Sequence, residues 1–304
     1  MNERIVKDTS NFFSIDYGDI IEIDERRFRV TGHERERRFG VEDPKFWVKR
    51  VADLETGERK ILKLSFFETF ETNMGGVPIT CFRNPDKEGD ILNLVKDHPG
   101  FMHGTVHRDL KGNNMRVIDP VKGPNFFVYI GSMTEIEHEE YFFGVLPYIL
   151  RQVAKAFEAI RFLHINGFKH GDIRNDHIIV EEETGNYVWI DFDYDYNSPE
   201  NPFSLDIFGM GNVLLNAVGK GFHNMDMIRS NTEKYGDLID NVDESDFSIF
   251  NKRRLVNLRK LYKYIPVPLN NMLTHFSRGA EIFYENTDEI IEDLYRCLYS
   301  FVGA

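Results

Sequence analysis

The sequence predicts an α+β protein of two lobes, a strand-rich front and a helix-rich back, with the joint near residues 130–135. Three observations carry this. Short β-branched and aromatic runs fill the first third of the chain. After Gly131 the period changes: Leu146, Ile149, Leu150, Val153, Phe157, Ile160 and Leu163 recur at three- and four-residue steps, one apolar stripe of a long helix. The chain has 304 residues and is 41% hydrophobic, enough for two packed lobes or one large domain and too apolar for a disordered chain.

Taken in order, residues 19–23 and 27–31 read as strands separated by the charged turn Asp24-Glu25-Arg26. Residues 46–52 and 60–66 flank a turn carrying Gly57. Residues 86–97 fit a short helix stopped by His98-Pro99-Gly100. Strands are expected again at 115–118 and 126–130, with Gly112-Asn113-Asn114 as a hairpin turn before the first. Gly167 ends the long helix, a strand pair runs through to Tyr187–Ile190, and a mainly helical tail follows. No internal repeat or low-complexity segment is seen.

Composition excludes several classes. Lys and Arg number 37 against 50 Asp and Glu, a net charge of −13, which argues against a nucleic-acid or anionic-membrane partner. No long apolar stretch predicts a membrane span, and residues 1–13 lack the apolar run of a secretory signal. Cys81 and Cys297 stand far apart without a motif, so no disulfide framework is expected and a reducing cytoplasm is the default location.

Four separated pieces suggest one chemistry. Lys63 lies on the second strand of a hairpin, where a fixed cation neutralises phosphate oxygens. Glu88 lies on the following short helix, whose Ile91, Leu92 and Val95 would be buried and turn Glu88 toward that lysine. His170-Gly171-Asp172 follows the long helix, and a carboxylate on such a loop orients a hydroxyl and accepts its proton. Asp191-Phe192-Asp193 ends the run Tyr187–Ile190, and a carboxylate at a strand end suits a hard divalent cation with phosphate as co-ligand.

In order, spacing and element type these pieces resemble the protein kinase superfamily, over roughly residues 19–295. Lys63 is similar to the strand lysine of V-A-I-K, and Glu88 to its helix partner. Residues 170–177 resemble H-R-D-L-x-x-x-N, and residues 191–193 resemble D-F-G. The helix beginning at Asp206 is similar to the buried helix whose aspartate braces the catalytic loop, with His170 as a second support, and residues 265–294 resemble the last helices of bacterial Ser/Thr kinases. The resemblance implies a bilobal fold, with a nucleotide-binding N-lobe of 1–131 and a catalytic C-lobe of 132–304. It further implies ATP and Mg2+ or Mn2+ as cofactors, and a protein or small-molecule hydroxyl as acceptor. Asp172 would be catalytic with Lys63 and Glu88, and Asp191 would hold the metal.

A second stretch, His107-Arg108-Asp109-Leu110-Lys111-Gly112-Asn113-Asn114, spells the loop motif better but sits between strands, so a hairpin is expected there. Three departures bear on function. His177 stands where the motif has a metal-binding asparagine; it is expected to hold the metal with Asp191, an imidazole favouring softer ions than magnesium, or else to be structural only. The stretch between the strands at 27–31 and 46–52 offers only Gly32 and Gly40 to approach phosphates. Arg35, Arg37 or Arg38 would clamp them instead, or the segment is an exposed charged hairpin, which Glu34 and Glu36 favour. Ser198-Pro199-Glu200 imitates A-P-E only nine residues after Asp191, and Gly171 replaces the arginine of H-R-D, so a standard activation segment has no room. The chain in these respects resembles atypical kinases with an H-G-D loop. The expected activity is Ser/Thr-kinase-like transfer of the ATP γ-phosphoryl to a hydroxyl. A pseudokinase scaffold and a small-molecule phosphotransferase of the aminoglycoside kinase type are the alternatives.

Overall fold

A computed structural model describes residues 4–38 and 41–302. The chain is of the α+β class, with a curled, mainly antiparallel sheet toward its N-terminal part, in which only β1 and β2 pair in parallel among the described strands, and helices through most of the rest. Cα packing divides it into two units. The first comprises residues 1–69, 82–121 and 192–194, and the second 70–81, 122–191 and 195–304.

The first unit holds β1 (Ile5–Val6), β2 (Ile20–Ile23), β3 (Arg26–Arg38), β4 (Val41–Asp53) and β5 (Arg59–Lys63). Between β5 and the next elements of this unit come β6 (Thr69–Met74) and β7 (Val77–Arg83), then α1 (Pro85–Leu94), β8 (Gly104–Arg108) and β9 (Asn114–Ile118). The seven-stranded sheet has the order β1-β2-β3-β4-β5-β9-β8. One face buries Ile21, Phe28, Val30, Val51, Leu62 and Val117, as alternation along each strand requires. The α1 helix starts where expected because Asn84 caps it, accepting from Lys87 N, with Pro85 in the first turn. The charged stretch after residue 31 continues β3 and β4 as one long hairpin, whose register shifts beside Gly32.

The N-terminal segment is strapped down by polar contacts. Lys49, fully buried, donates to Phe12 O at 2.9 Å and Ile15 O at 2.6 Å. Burial pushes its ammonium down to about 8.

The second unit continues with α2 (Phe126–Gly131), α3 (His138–Gly144), α4 (Leu146–Ile165), β10 (Ile178–Val180), β11 (Tyr187–Trp189), β12 (Tyr194–Asn197) and α5 (Ser204–Val218). Then come α6 (Met225–Ser230), α7 (Thr232–Tyr235), α8 (Val267–Thr274) and α9 (Thr287–Val302). The seven-residue apolar stripe read from the sequence is buried along α4, which packs against α5 and α9. β10 and β11 form an antiparallel pair, and β12, β7 and β6 form a three-stranded sheet in that order.

One expected strand is a helix. Residues 126–130 form α2, because Asn125 accepts from Val128 N as an N-cap and only Phe126 and Ile130, four apart, are buried. Phe127 and Val128 between them are about half exposed, the mark of a helical rather than an alternating period. Among the described residues no helix is long and apolar enough to cross a membrane.

Candidate functional site

In the first unit, Lys63 and Glu88 come together as the sequence suggested. Lys63 ends β5 and is buried; its Nζ donates to Glu88 Oε1 at 2.6 Å. Glu88, fully buried on α1, uses its other oxygen to accept from Arg116 Nε at 3.0 Å. Arg116 lies on β9 directly opposite Lys63 in the sheet register. Two cations share one carboxylate, which fixes the Lys63 ammonium and the Arg116 guanidinium in place. Arg116 was missed in the sequence, although a charged residue inside the otherwise apolar run Met115–Ile118 was the available signal. Gly32, expected to approach phosphates, lies within the β3 strand opposite Arg50, at φ +150°. Gly40 lies outside the described residues.

The remaining site residues belong to the second unit. Asp206, in the first turn of α5, accepts from His170 N at 2.7 Å, Gly171 N at 2.9 Å and His164 Nε2 at 3.0 Å. Burial opposes its ionisation, but the His164 hydrogen bond, the two imidazoles and the Gly171 amide hold the carboxyl below its usual range. The backbone before Asp172 is therefore fixed by a buried carboxylate. Gly209 lets α5 approach the loop, since a Cβ there would meet Ile173 at 2.5 Å.

Asp172 is half-buried beside His177. His177 Nδ1 donates to the Asp172 carbonyl at 2.8 Å, because a carbonyl only accepts. In the neutral ring this leaves the Nε2 lone pair toward Asp191, whose Oδ2 lies 3.8 Å away. Asp191 adopts φ +58°, a left-handed conformation uncommon outside glycine. Burial raises the Asp172 carboxyl; His177 and Arg174 counter it, while Asp176 and Asp191 add to it. Arg174, not singled out in the sequence, lies 3.8 Å from Asp172 Oδ2 and clasps Asp176 through two nitrogens. Its position two residues beyond Asp172 was the signal available.

Among the described residues no three His, Cys, Asp or Glu side chains are grouped to hold a metal by themselves. Asp191 and His177 Nε2 offer one oxygen and one nitrogen, a partial set that suits a divalent ion sharing its other positions with phosphate oxygens and water.

The motif at 107–114 is a hairpin, as expected, and β8 pairs with β9 across it. Asp109 has a structural task there. Its carboxylate accepts from Thr9 N at 2.7 Å, Thr9 Oγ1 at 2.8 Å, Lys111 N at 2.8 Å, Asn113 N at 2.9 Å and Asn113 Nδ2 at 2.8 Å. Despite burial, the Asn113 and Thr9 donors hold it at about 2. The folded value lies below the unfolded one, so this stabilisation is full above the unfolded pKa and is lost as pH falls through the folded one. Asp109→Asn is expected to cost on the order of 2 kcal/mol at neutral pH. Urea unfolding should show the deficit shrinking between pH 4 and pH 2; a constant deficit across that range would mean that charge is not what ties Thr9 to the hairpin.

No protein-family model and no curated protein matches the chain, so the functional reading rests on the residues themselves.

Proposed function

We propose that the protein is an ATP-dependent phosphotransferase of the protein-kinase-like class, with the first unit as its nucleotide-binding lobe and the second as its catalytic lobe, acting on a hydroxyl acceptor. The observation that carries this reading is the buried Lys63–Glu88 pair at 2.6 Å, because the carboxylate, itself held by Arg116, fixes a lysine ammonium in the one position from which it neutralises phosphate oxygens. Phosphoryl transfer asks chiefly for positioning and charge neutralisation. Lys63, oriented by Glu88, holds the α- and β-phosphate oxygens. Asp172 orients the acceptor hydroxyl and takes its proton on a carboxylate oxygen, a role helped by its raised pKa. Asp191 and His177 Nε2 are the residues to hold a divalent metal, Mg2+ or Mn2+, which when bound supplies charge neutralisation at the β- and γ-phosphates. Asp206 and His164 keep the loop carrying Asp172 in place.

A second reading, a nucleotide-binding pseudokinase, is favoured by His177 in place of an oxygen ligand. A thermal-shift series separates nucleotide binders from scaffolds. At ATP and MgCl2 or MnCl2 a hundredfold above the dissociation constant, stability is expected to rise by about 2.7 kcal/mol. No shift at millimolar nucleotide with either metal would end both nucleotide-based readings, and a shift without any phosphoryl transfer would favour the pseudokinase.

A further inference from the structure

The second unit holds a cavity of about 810 Å³ that the proposed chemistry does not use. Its size is that of a ligand site. Met74, Phe203, Phe208, Ile249 and Phe283 line it with apolar and aromatic surface. Glu200, Glu281 and Glu285 also line it and are exposed, and no lysine or arginine is among the lining residues. Apolar walls with an acidic rim select a ligand that is both cationic and apolar.

Two further observations specify its shape and its use. Met74 ends β6, the last strand in the order β12-β7-β6, and among the described residues no further strand pairs with β6. An edge strand that ends beside an apolar cavity is an arrangement that adds an extended peptide, the backbone pairing with the edge and a side chain filling the cavity. The cavity wall also leads to the Asp172 loop. The Phe203 ring stacks on His164 at 4.0 Å between centroids, and His164 and the amides of His170 and Gly171 all bond to Asp206.

We propose that this cavity and the β6 edge dock the acceptor as an extended peptide segment carrying arginine or lysine next to an apolar residue. The acceptor role rests on the phosphotransferase reading; the docking itself does not. The test therefore measures binding without nucleotide and transfer separately. The probe is a short fluorescein-labelled peptide with two arginines, two valines and one serine, compared with the same peptide carrying glutamates for the arginines. Anisotropy titration of the full chain is expected to favour the basic peptide by at least about tenfold. The triple variant Glu200→Gln, Glu281→Gln, Glu285→Gln should weaken it by about tenfold or more, and so should Ile282→Asp, which alters an exposed lining residue, with melting temperatures unchanged. Equal affinity for both peptides, or for wild type and both variants, would overturn the proposal. Spermidine competing as well as the peptide, with Ile282→Asp neutral, would overturn the peptide assignment in favour of a small polyamine. Specific binding without phosphate on the peptide serine, read with radiolabelled ATP, would keep the docking site and overturn its acceptor role.

Discussion

Asp172→Asn is expected to abolish phosphoryl transfer, lowering its rate by roughly 10²–10⁴-fold, while the melting temperature and the ATP-induced shift stay near wild type. The carboxylate is the only part of the residue removed. The Asp172 carbonyl still accepts from His177 Nδ1, Arg174 still clasps Asp176, and Asp206 still holds the amides of His170 and Gly171. An amide oxygen orients a hydroxyl but does not take its proton at neutral pH. Burial and the neighbouring Asp176 and Asp191 carboxylates, which raise the Asp172 pKa, make it a better base than an ordinary aspartate. Initial-rate measurements with saturating ATP decide the matter. Full activity in this variant would remove Asp172 from the chemistry and the H-G-D loop from the reading. The contrast with Asp109→Asn is instructive: that variant is expected to lose stability, and to lose activity only as far as it unfolds.

Glu88→Ala is expected to destabilise the protein by about 3–5 kcal/mol, the largest effect on stability of any single change discussed. The carboxylate is fully buried and is the shared partner of Lys63 and Arg116, themselves almost fully buried. Removing it leaves two like charges close together without the group that separates them. Glu88→Gln keeps an acceptor oxygen and should be milder, since one cation retains a neutral hydrogen bond. Lys63→Met should be milder still, because Glu88 then keeps Arg116. Chemical denaturation of the three variants gives the order directly. If Glu88→Ala fell within about 1 kcal/mol of wild type, the charge cluster would be of the weak, solvated kind, and its value as a mark of function would go with it.

The parts of this molecule that could be read beforehand are those set by local period and turn chemistry. The α4 stripe, the Gly112 hairpin and the short helix α1 each follow from residues within a few positions of one another. Glu88 meets Lys63 because it lies one turn before Ile91 and Leu92 on the buried face of α1, while Asp86 and Asp90 fall on the exposed one. What escaped was set by distant partners. Arg116 gains its meaning only from its register opposite Lys63, and Asp109 only from Thr9, a hundred residues away. The hairpin of β6 and β7 had a signal in Gly75-Gly76, between two alternating runs, that was passed over. At 126–130 the aromatic and β-branched composition outweighed the cap at Asn125, and burial at a four-residue interval shows which influence governs.

The tripeptide Phe192–Tyr194 belongs to the first unit although nearly all of that unit is encoded before residue 122. Arg83 pairs with Asp193 at 2.7 Å and lies 4.0 Å from the Tyr194 ring centroid, while Asn84 N donates to the Asp193 carbonyl. During synthesis, then, the sheet and α1 leave the ribosome long before the residues that close over Arg83, an interval of 110 positions. At roughly 5–20 residues per second this is a wait of several seconds or more, during which Arg83 has Glu68 and the Trp47 and Phe66 rings as partners but not yet Asp193 or Tyr194. The order of translation thus favours a nascent first unit that stays loosely packed around its future ion pair and sets firmly only after the long α4 helix has been made.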